Sequence, residues 1–398
     1  MDFNDTPQEA AFRAEAQAFL EANLELLTAP EGGEGEPAHL ARAKAWQKVK
    51  HENGWACLNW PKEYGGRGAP PMELIIWNQE ESRYDAPTGP FAIGLGMCGP
   101  TLIAYGSEEQ KRARLPRMAS GEDVWCQLFS EPAGGSDLAA LRTRAEPDGD
   151  HWVVNGQKIW TSGAHYCDWG ILVTRTDPTV PKHKGLTFFF VDMHSPGVAV
   201  RPIRQISGDA NFNEVYFTNV RIPDAQRLGA VGQGWQVSIT TLMNERLAVG
   251  NAGGPDVRDL IELAQRIELD GRPAIEHGAV RERVADWYCQ SSGLEFTNYR
   301  VISALSRGQT PGPENSITKV VSAKKLQDIA SFAMDLMDMG GVLSRDNAFQ
   351  QAFMNAPGLR IAGGSDEILR NIIAERVLGL PQDIRVDKNV PFDQVPTG

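Results

Sequence analysis

The hydrophobic period changes twice along this 398-residue chain. Helical spacing of apolar residues covers the first third, the alternation typical of strands follows, and helical spacing then returns. Helices do not alternate with strands in the middle region, which argues against a parallel sheet. The pattern predicts an α+β multidomain fold in four parts: an N-terminal α-helical domain (1–123), a middle antiparallel β domain of sandwich or barrel type (124–232), a C-terminal helical domain (233–380) and a loose tail (381–398).

Local signals mark where several elements begin and end. Thr6 to Glu9 has the pattern of a capping box, with Pro7 at the first helical position. Asn155-Gly156 lies between two strand-like runs and predicts a type I′ hairpin turn. The Gly379-Leu380-Pro381 sequence predicts the end of the last helix.

Charge and cysteine content narrow the expected partners and location. There are 39 Lys and Arg against 51 Asp and Glu, giving a net charge of −12 that disfavours nucleic acid and anionic membranes. The five cysteines are scattered, and the start of the chain has no secretory signal, so we expect reduced thiols in a cytoplasmic protein. His165 and Cys167 are close in sequence, but no third ligand accompanies them, and we predict no metal site.

The segment Gly94–Gly99 matches the GxGxxG pattern of dinucleotide-binding folds. That fingerprint needs a preceding strand and a helix that opens within it. Here prolines precede the segment, and Pro100 follows it directly. We therefore expect these glycines to permit close helix packing rather than to bind a nucleotide.

Two polar segments are candidates for ligand binding. The run Gln127–Asp137 offers backbone N–H groups and hydroxyls, and Trp160 could cover a flat ring nearby; a glycine-rich turn beside a core Trp is the alternative. In Ala362–Arg370, Ser365 caps a helix with two carboxylates in its first turn. Those carboxylates disfavour a bare phosphate, so a neutral hydrogen-bonding group fits that helix start better.

Glu245 is an acidic residue at the edge of an apolar helical stripe that contains Leu242 and Val249. Partial removal from water would raise the pKa of this carboxylate and make it a better base near neutral pH. The alternative is a glutamate at the rim of the stripe that reaches water. The local sequence alone leaves both open.

Longer motifs resemble the flavin-dependent acyl-CoA dehydrogenase family over nearly the whole chain. The specific segments are Phe129-Ser-Glu-Pro-Ala-Gly-Gly-Ser-Asp137, Asn155-Gly-Gln-Lys-Ile-Trp-Thr-Ser162, and Ile361 to Pro381. The resemblance implies helical, β and four-helix domains in that order. It also implies an FAD cofactor and a role in fatty acid and lipid metabolism.

The resemblance assigns roles to individual positions. The implied FAD contacts are Gln127, Phe129, Ser130, Gly135, Ser136, Trp160, Ser162, Gly340, Gly341, Ser365 and Glu367. The implied substrate contacts are Ser136, Leu242, Arg246 and Gly364.

The catalytic base is implied to be Glu245. Many family members carry a glutamate where this chain has Gly363, whereas members similar to the isovaleryl and long-chain enzymes carry it before an arginine, as in Glu245-Arg246. Glu245 would take the α-proton of an acyl-CoA while a hydride passes from Cβ to flavin N5, giving a trans-2-enoyl-CoA. The backbone N–H of Gly363 would stabilise the enolate oxygen. An electron-transfer flavoprotein is the implied electron acceptor.

Two departures from the family pattern concern the adenine end of FAD. The usual Arg-x-x-Phe-Gly segment is replaced by Ile267-Glu-Leu-Asp-Gly-Arg-Pro273, and a usual glutamine is Met337. Both a homo-oligomer (dimer or tetramer) and a heterotetramer completed by a sister chain stay open, as does a flavin monooxygenase on the same fold. The length, branching or ring content of the acyl group is not fixed by the sequence.

Overall fold

A computed structural model describes residues 5–30, 33–248, 253–307, 312, 315–343, 347–387 and 389–395, and the side chains at 245–248, 305–306 and 315 lie outside this description. The chain forms two compact units. The first unit contains residues 1–204, 210–245 and 385–398. The second contains residues 205–209 and 246–384.

The N-terminal region of the first unit is helical, as predicted. Its α-helices are α1 (Pro7–Glu21), α2 (Leu24–Leu27), α3 (Glu36–Glu52), α4 (Pro71–Glu81), α5 (Gly99–Tyr105) and α6 (Glu108–Ser120). The predicted capping box is confirmed, because Thr6 Oγ1 accepts from the Glu9 N–H and Glu9 Oε2 accepts from the Thr6 N–H. Helix α1 then buries Phe12, Ala16 and Leu20 at helical spacing.

The predicted close packing at Gly94–Gly99 is confirmed. Gly94–Cys98 forms a π-helical turn that leads into α5, with no preceding strand. A Cβ atom at Gly99 would lie 2.0 Å from Trp60 Cζ2, a distance shorter than real Cβ contacts allow. Trp60 is itself buried, so the indole cannot move aside freely.

We expect Gly99→Ala to lower the thermal unfolding midpoint, because the added methyl group overpacks the core by about 1–3 kcal/mol. The matched control is Gly293→Ala in a later helix, where the new methyl group meets open space. Alanine there should stabilise the helix by about 0.5–1 kcal/mol. Differential scanning calorimetry of both variants checks the opposite signs, and equal midpoints would contradict the packing at Gly99.

The middle region forms a β-sheet, as predicted. Its strands are β1 (Trp125–Leu128), β2 (Arg144–Asp148), β3 (His151–Ser162), β4 (Trp169–Arg175), β5 (Leu186–Asp192), β6 (Val198–Ile203), β7 (Phe212–Pro223) and β8 (Arg227–Leu228). The order is β6-β7-β3-β2-β4-β5-β8, with β1 beside β4. Pairing is antiparallel except where β1 and β2 run parallel to β4. Alternate residues of β5 enter cores on opposite faces, with Phe188 on one and Phe189 on the other.

The predicted hairpin at Asn155-Gly156 is wrong. Strand β3 continues through both residues, and the pairing register with β7 shifts between Val154 and Gly156. The chain reverses earlier, between β2 and β3, where Gly149 is left-handed at φ +64°. Asn155 instead bonds the next strand, because its Oδ1 accepts from the Asn219 N–H at 2.8 Å. The dipeptide therefore forms a bulge rather than a turn.

The C-terminal region is helical, as predicted. Its α-helices are α7 (Gly234–Ala248), α8 (Val257–Arg266), α9 (Gly278–Ser306), α10 (Asn315–Met337), α11 (Met339–Leu343), α12 (Ala348–Leu359) and α13 (Asp366–Ile372). Strands β9 (Glu268–Leu269) and β10 (Arg272–Pro273) form a small hairpin after α8. The core of the second unit includes Leu260, Trp287 and Ile329. Among the helices that the structure describes, none is long and apolar enough to cross a membrane.

The prediction of a loose tail is wrong for the last described residues. Residues 381–386 are exposed, but Phe392 donates its N–H to the Val180 carbonyl at 3.0 Å. The Phe392 ring lies 3.5 Å from the Arg175 guanidinium, a cation–π contact. Lys182 pairs with both Asp387 and Asp137, so the segment is fixed to the β region.

Candidate functional site

Trp160 is the most unusual candidate residue in the first unit. Its backbone is left-handed at φ +59°, a conformation that bulky residues rarely adopt. Its indole is 56% exposed, with the Phe212 ring edge-on at 6.1 Å between centroids. A strained backbone that presents an exposed aromatic ring is typical of a ligand site. The geometry suits a planar aromatic ligand.

The neighbouring loop is tied to β3 by a buried lysine. Lys158 Nζ donates to the Phe129 carbonyl at 3.0 Å and to Glu131 Oε1 at 2.8 Å. One residue later, the Ile159 N–H donates to the Ser130 carbonyl at 2.9 Å. These bonds fix residues 129–131 to the part of β3 that leads into Trp160.

The buried pair of Lys158 and Glu131 is electrostatically satisfied. Burial lowers the pKa of Lys158, and the nearby carboxylate offsets part of that effect. Burial alone would raise the pKa of Glu131, but Lys158 and the backbone donors outweigh it and hold that pKa below its usual range. The backbone donors are the N–H groups of Arg142 and Thr143, at 2.6 and 2.9 Å.

The other predicted residues in the first unit differ in exposure. Gln127 is half-buried on β1, and Ser162 is half-buried at the end of β3. Gly135 and Ser136 are exposed, and they directly follow the tight turn closed by backbone bonds between Glu131 and Gly134. The structure thus brings the loop and β3 together, with Gly135 and Ser136 at the loop's exposed tip.

Helix α7 is held by hydroxyl contacts to α5 in the same unit. Thr241 Oγ1 lies 2.8 Å from Thr101 Oγ1, and Tyr105 OH lies 3.1 Å from Thr240 Oγ1. Leu242 packs, partly buried, against the core. The next turn of α7 carries Glu245 and Arg246, whose side chains lie outside the described residues.

A second group of predicted residues lies in the second unit, at the Gly363–Gly364 turn. Both glycines are left-handed, at φ +65° and +95°, and Ser365 Oγ then caps α13 by accepting from the Ile368 N–H. Lys319 Nζ donates to the Gly364 carbonyl at 2.6 Å. Glu367 is exposed at the helix start.

Gly340 and Gly341 lie apart from this turn in the chain, in α11. The Gly341 carbonyl accepts from Gln350 Nε2 at 3.1 Å, so this segment is tied to α12. Gly340 is exposed, whereas Gly341 is buried.

His165 has hydrogen-bonding partners other than a metal. Its Nδ1 lies 3.1 Å from Asn213 Oδ1, and its Nε2 lies 2.5 Å from Glu36 Oε1. Within the described ranges, His, Cys, Asp and Glu residues form no group of three that could hold a metal ion. The cysteines are free thiols, and a hydrogen bond with Cys126 together with burial holds the pKa of Cys167 well above its usual value.

Two lysines that contact candidate residues, one in each unit, were missed by sequence reasoning. Lys158 occupies an inward position of β3, where the strand alternation predicts an apolar residue, and that exception was a usable signal. Lys319 gave no such signal, because a lysine on a long helix is usually solvated.

Comparisons with known proteins match most of the chain. Family descriptions for the acyl-CoA dehydrogenase N-terminal, middle and C-terminal domains match residues 6–122, 126–220 and 232–378. These three ranges follow the observed order of helices, sheet and helices.

Named relatives agree. "Acyl-CoA dehydrogenase IpdE1" of Mycobacterium tuberculosis is 38% identical over 388 residues, covering 94% of this chain and 98% of the relative. "Acyl-CoA dehydrogenase FadE34" of the same organism is 39% identical over 333 residues, 83% of this chain but only 45% of that longer protein.

Solved structures give the same result. One described as "Tcur3481-Tcur3483 steroid ACAD" superposes with a TM-score of 0.80 at 29% identity, covering 96% of this chain and all of that one. The ChsE4-ChsE5 complex of Mycobacterium tuberculosis gives a TM-score of 0.78 at 29% identity, with the same coverage. Family matches across three domains and a full-length relative at 38% identity lead to one conclusion. The chain belongs to the acyl-CoA dehydrogenase family.

Proposed function

We propose that this protein is an FAD-dependent dehydrogenase that converts an acyl-CoA thioester into its trans-2-enoyl-CoA. The observation that carries the proposal is the exposed indole of Trp160, held in a left-handed conformation beside the loop that Lys158 anchors. The exposed ring is held by a backbone conformation that is unfavourable for tryptophan, and such a ring suits a planar ligand such as a flavin.

The residues that would hold FAD are consistent with its chemistry. Trp160 would cover the flavin ring, while Ser162, Ser130 and the backbone at Gln127 would meet its polar edge. Phe129, Gly135 and Ser136 would line the same loop, and Gly340, Gly341, Ser365 and Glu367 are the further proposed contacts. FAD, when bound, supplies a two-electron hydride acceptor.

The chain itself would supply the base and the oxyanion donor. Glu245 would take the proton from the substrate Cα atom, and the Gly363 N–H would donate to the thioester carbonyl as negative charge develops there. Gly363 has no side chain that could act as a base, so Glu245 would take the role of the glutamate that many family members carry at that position. Leu242, Arg246, Ser136 and Gly364 are the proposed substrate contacts.

We further propose a ring-bearing acyl group as the first substrate class to examine, because a structural relative is described as a "steroid ACAD". Electrons would pass to an electron-transfer flavoprotein. Fatty acid and lipid metabolism is the corresponding proposed role.

A heteromer completed by a sister chain is the second candidate assembly, beside a homo-oligomer. The segment at the family's Arg-x-x-Phe-Gly position forms the β9–β10 hairpin of Glu268–Leu269 and Arg272–Pro273. A relative also crystallised as the ChsE4-ChsE5 complex. A sister chain would then supply the missing adenine contacts.

The test is anaerobic titration of the FAD-loaded protein with butyryl-, isovaleryl-, palmitoyl- and a steroid-ring-bearing acyl-CoA, following flavin bleaching. We expect the ring-bearing thioester to bleach the flavin fastest and to yield the 2-enoyl product without oxygen. A product that forms only with oxygen would indicate the monooxygenase, and a chain that binds FAD only with a second subunit would indicate the heteromer. A flavin-loaded protein unreduced by all four thioesters would contradict the proposal.

The strained indole provides a separate prediction. We expect Trp160→Asn to leave the thermal midpoint of the cofactor-free protein unchanged or higher, because Asn tolerates the left-handed conformation that Trp resists. The same variant should bind FAD about 10-fold more weakly, because it loses a stacking contact worth about 1.4 kcal/mol. Calorimetry and flavin fluorescence check the pair, and unchanged FAD affinity would remove Trp160 from the cofactor site.

A further inference from the structure

Lys319 contacts the backbone of the Gly363–Gly364 turn from a neighbouring helix. Its Nζ atom lies 2.6 Å from the Gly364 carbonyl oxygen, a short charge-assisted bond. The side chain is half-buried on α10. Burial lowers the pKa of Lys319, and the carboxylate of Asp366 raises it in part.

The turn is held by backbone hydrogen bonds on both sides, and Lys319 donates to the carbonyl of Gly364 in its middle. Before the turn, the Ala362 N–H donates to the Gly358 carbonyl at 2.9 Å; after it, the Asp366 N–H donates to the Arg360 carbonyl at 3.0 Å. Asp366 is buried, and its Oδ2 atom accepts from Arg360 Nε at 2.7 Å. Two successive glycines between these points have the greatest backbone freedom of any dipeptide.

We propose that Lys319 is a positioning residue that holds the Gly363 N–H in the direction needed to stabilise the enolate oxygen of the substrate. This inference rests on the proposed function, in which that N–H is the oxyanion donor. A donor stabilises the transition state only when it is fixed in advance, and a displacement of about 1 Å can cost about 100-fold in rate. The Lys319 bond fixes the Gly364 carbonyl, in the 364–365 peptide group, and so limits rotation at the two glycines that set the direction of the Gly363 N–H.

The chain offers a matched control on the same helix. Lys325 is buried, and its Nζ donates to Asp256 Oδ1 at 2.6 Å and to Ser291 Oγ at 2.7 Å. Lys325→Met therefore removes a comparable buried cation from α10 without touching the Gly363–Gly364 turn. A purely structural role of Lys319 would make the two methionine variants behave alike.

The probe is a 3-thia-acyl-CoA, in which sulfur replaces the β-methylene group. Sulfur acidifies the α C–H bond and prevents hydride transfer, so the bound enolate accumulates and gives a long-wavelength charge-transfer band with oxidised flavin. The fraction ionised as a function of pH reports stabilisation of the oxyanion, which protein stability alone does not change. FAD content and the thermal midpoint are measured on each holoenzyme.

We expect Lys319→Met to lower the equilibrium constant for ionisation of the bound 3-thia probe by about 10- to 100-fold. The rate at which an ordinary acyl-CoA reduces the flavin should fall by a similar factor, with little change in KM. Lys319→Gln, which keeps an N–H donor without the charge, should fall between Met and wild type. Lys325→Met should ionise the probe as the wild type does.

An FAD-loaded Lys319→Met or Lys319→Gln enzyme that ionises the probe as the wild type does would overturn the positioning role, as would an equal loss in Lys325→Met. If Lys319→Met does not fold, the Gln variant decides. Failure of the wild type to ionise the probe would instead overturn the proposed function, so the two failures are distinguishable.

Discussion

Glu245→Gln is expected to abolish most flavin reduction by acyl-CoA while FAD content stays at the wild-type level. Glutamine has nearly the same size but cannot take the α-proton, and a positioned base contributes about 10²- to 10⁴-fold to such a step. We therefore expect a loss of that size in the reductive rate constant, measured anaerobically by stopped-flow absorbance. The binding of the acyl-CoA should change far less, because in the proposed mechanism the carboxylate would act on only one proton of the substrate.

The control is Glu262→Gln on α8, which removes an exposed carboxylate of the same kind. Acyl-CoA should reduce the flavin of this control variant at the wild-type rate. Undiminished reduction in Glu245→Gln would require a different base, and loss of FAD from that variant would assign Glu245 to folding of the site instead.

Lys158→Met is expected to destabilise the first unit by about 3–5 kcal/mol, the usual cost of leaving one member of a buried pair without its partner. The Lys158 side chain is fully buried, and that of Glu131 is 6% exposed. The loop at 129–131 loses its side-chain bonds to β3 at the same time, so FAD affinity should fall with stability. Denaturant unfolding and flavin titration measure the two effects.

Arg221→Met is the matched control for that prediction. Arg221 pairs with Asp148 in the same β region, but both side chains are more than half exposed. An exposed pair contributes about 1 kcal/mol or less, so this variant should unfold near the wild-type midpoint. The double variant Lys158→Met/Glu131→Gln should recover part of the loss, because no unpaired charge then remains buried. Equal stabilities of Lys158→Met and Arg221→Met would contradict a structural role for the buried pair.

The order of the fold followed from hydrophobic periodicity, and helix starts followed from capping chemistry. Thr6 and Ser365 cap helices as their sequences predict, because the signal and the hydrogen bond lie within four residues. Asn155-Gly156 failed because its conformation is set by Asn219 in β7, a partner 64 residues away. Periodicity reports burial and local turns, but it carries no information on which strand pairs with which.

At the candidate site too, the sequence predicted local features but not the contacts between distant residues. The motif around Phe129–Asp137 predicted a ligand-binding loop there, but the buried lysine that anchors this loop follows from tertiary packing. The contact between Phe392 and Arg175 was also invisible, because a short aromatic segment after a helix end has no period of its own. Long-range contacts therefore account for most of what the sequence did not predict.

The most direct test of the central claim is a crystal structure of the FAD-loaded protein with a bound 3-thia-acyl-CoA. We predict a carboxylate oxygen of Glu245 within about 3.5 Å of the ligand Cα atom. A Glu245 side chain turned toward solvent, with another group on the α-proton, would contradict it.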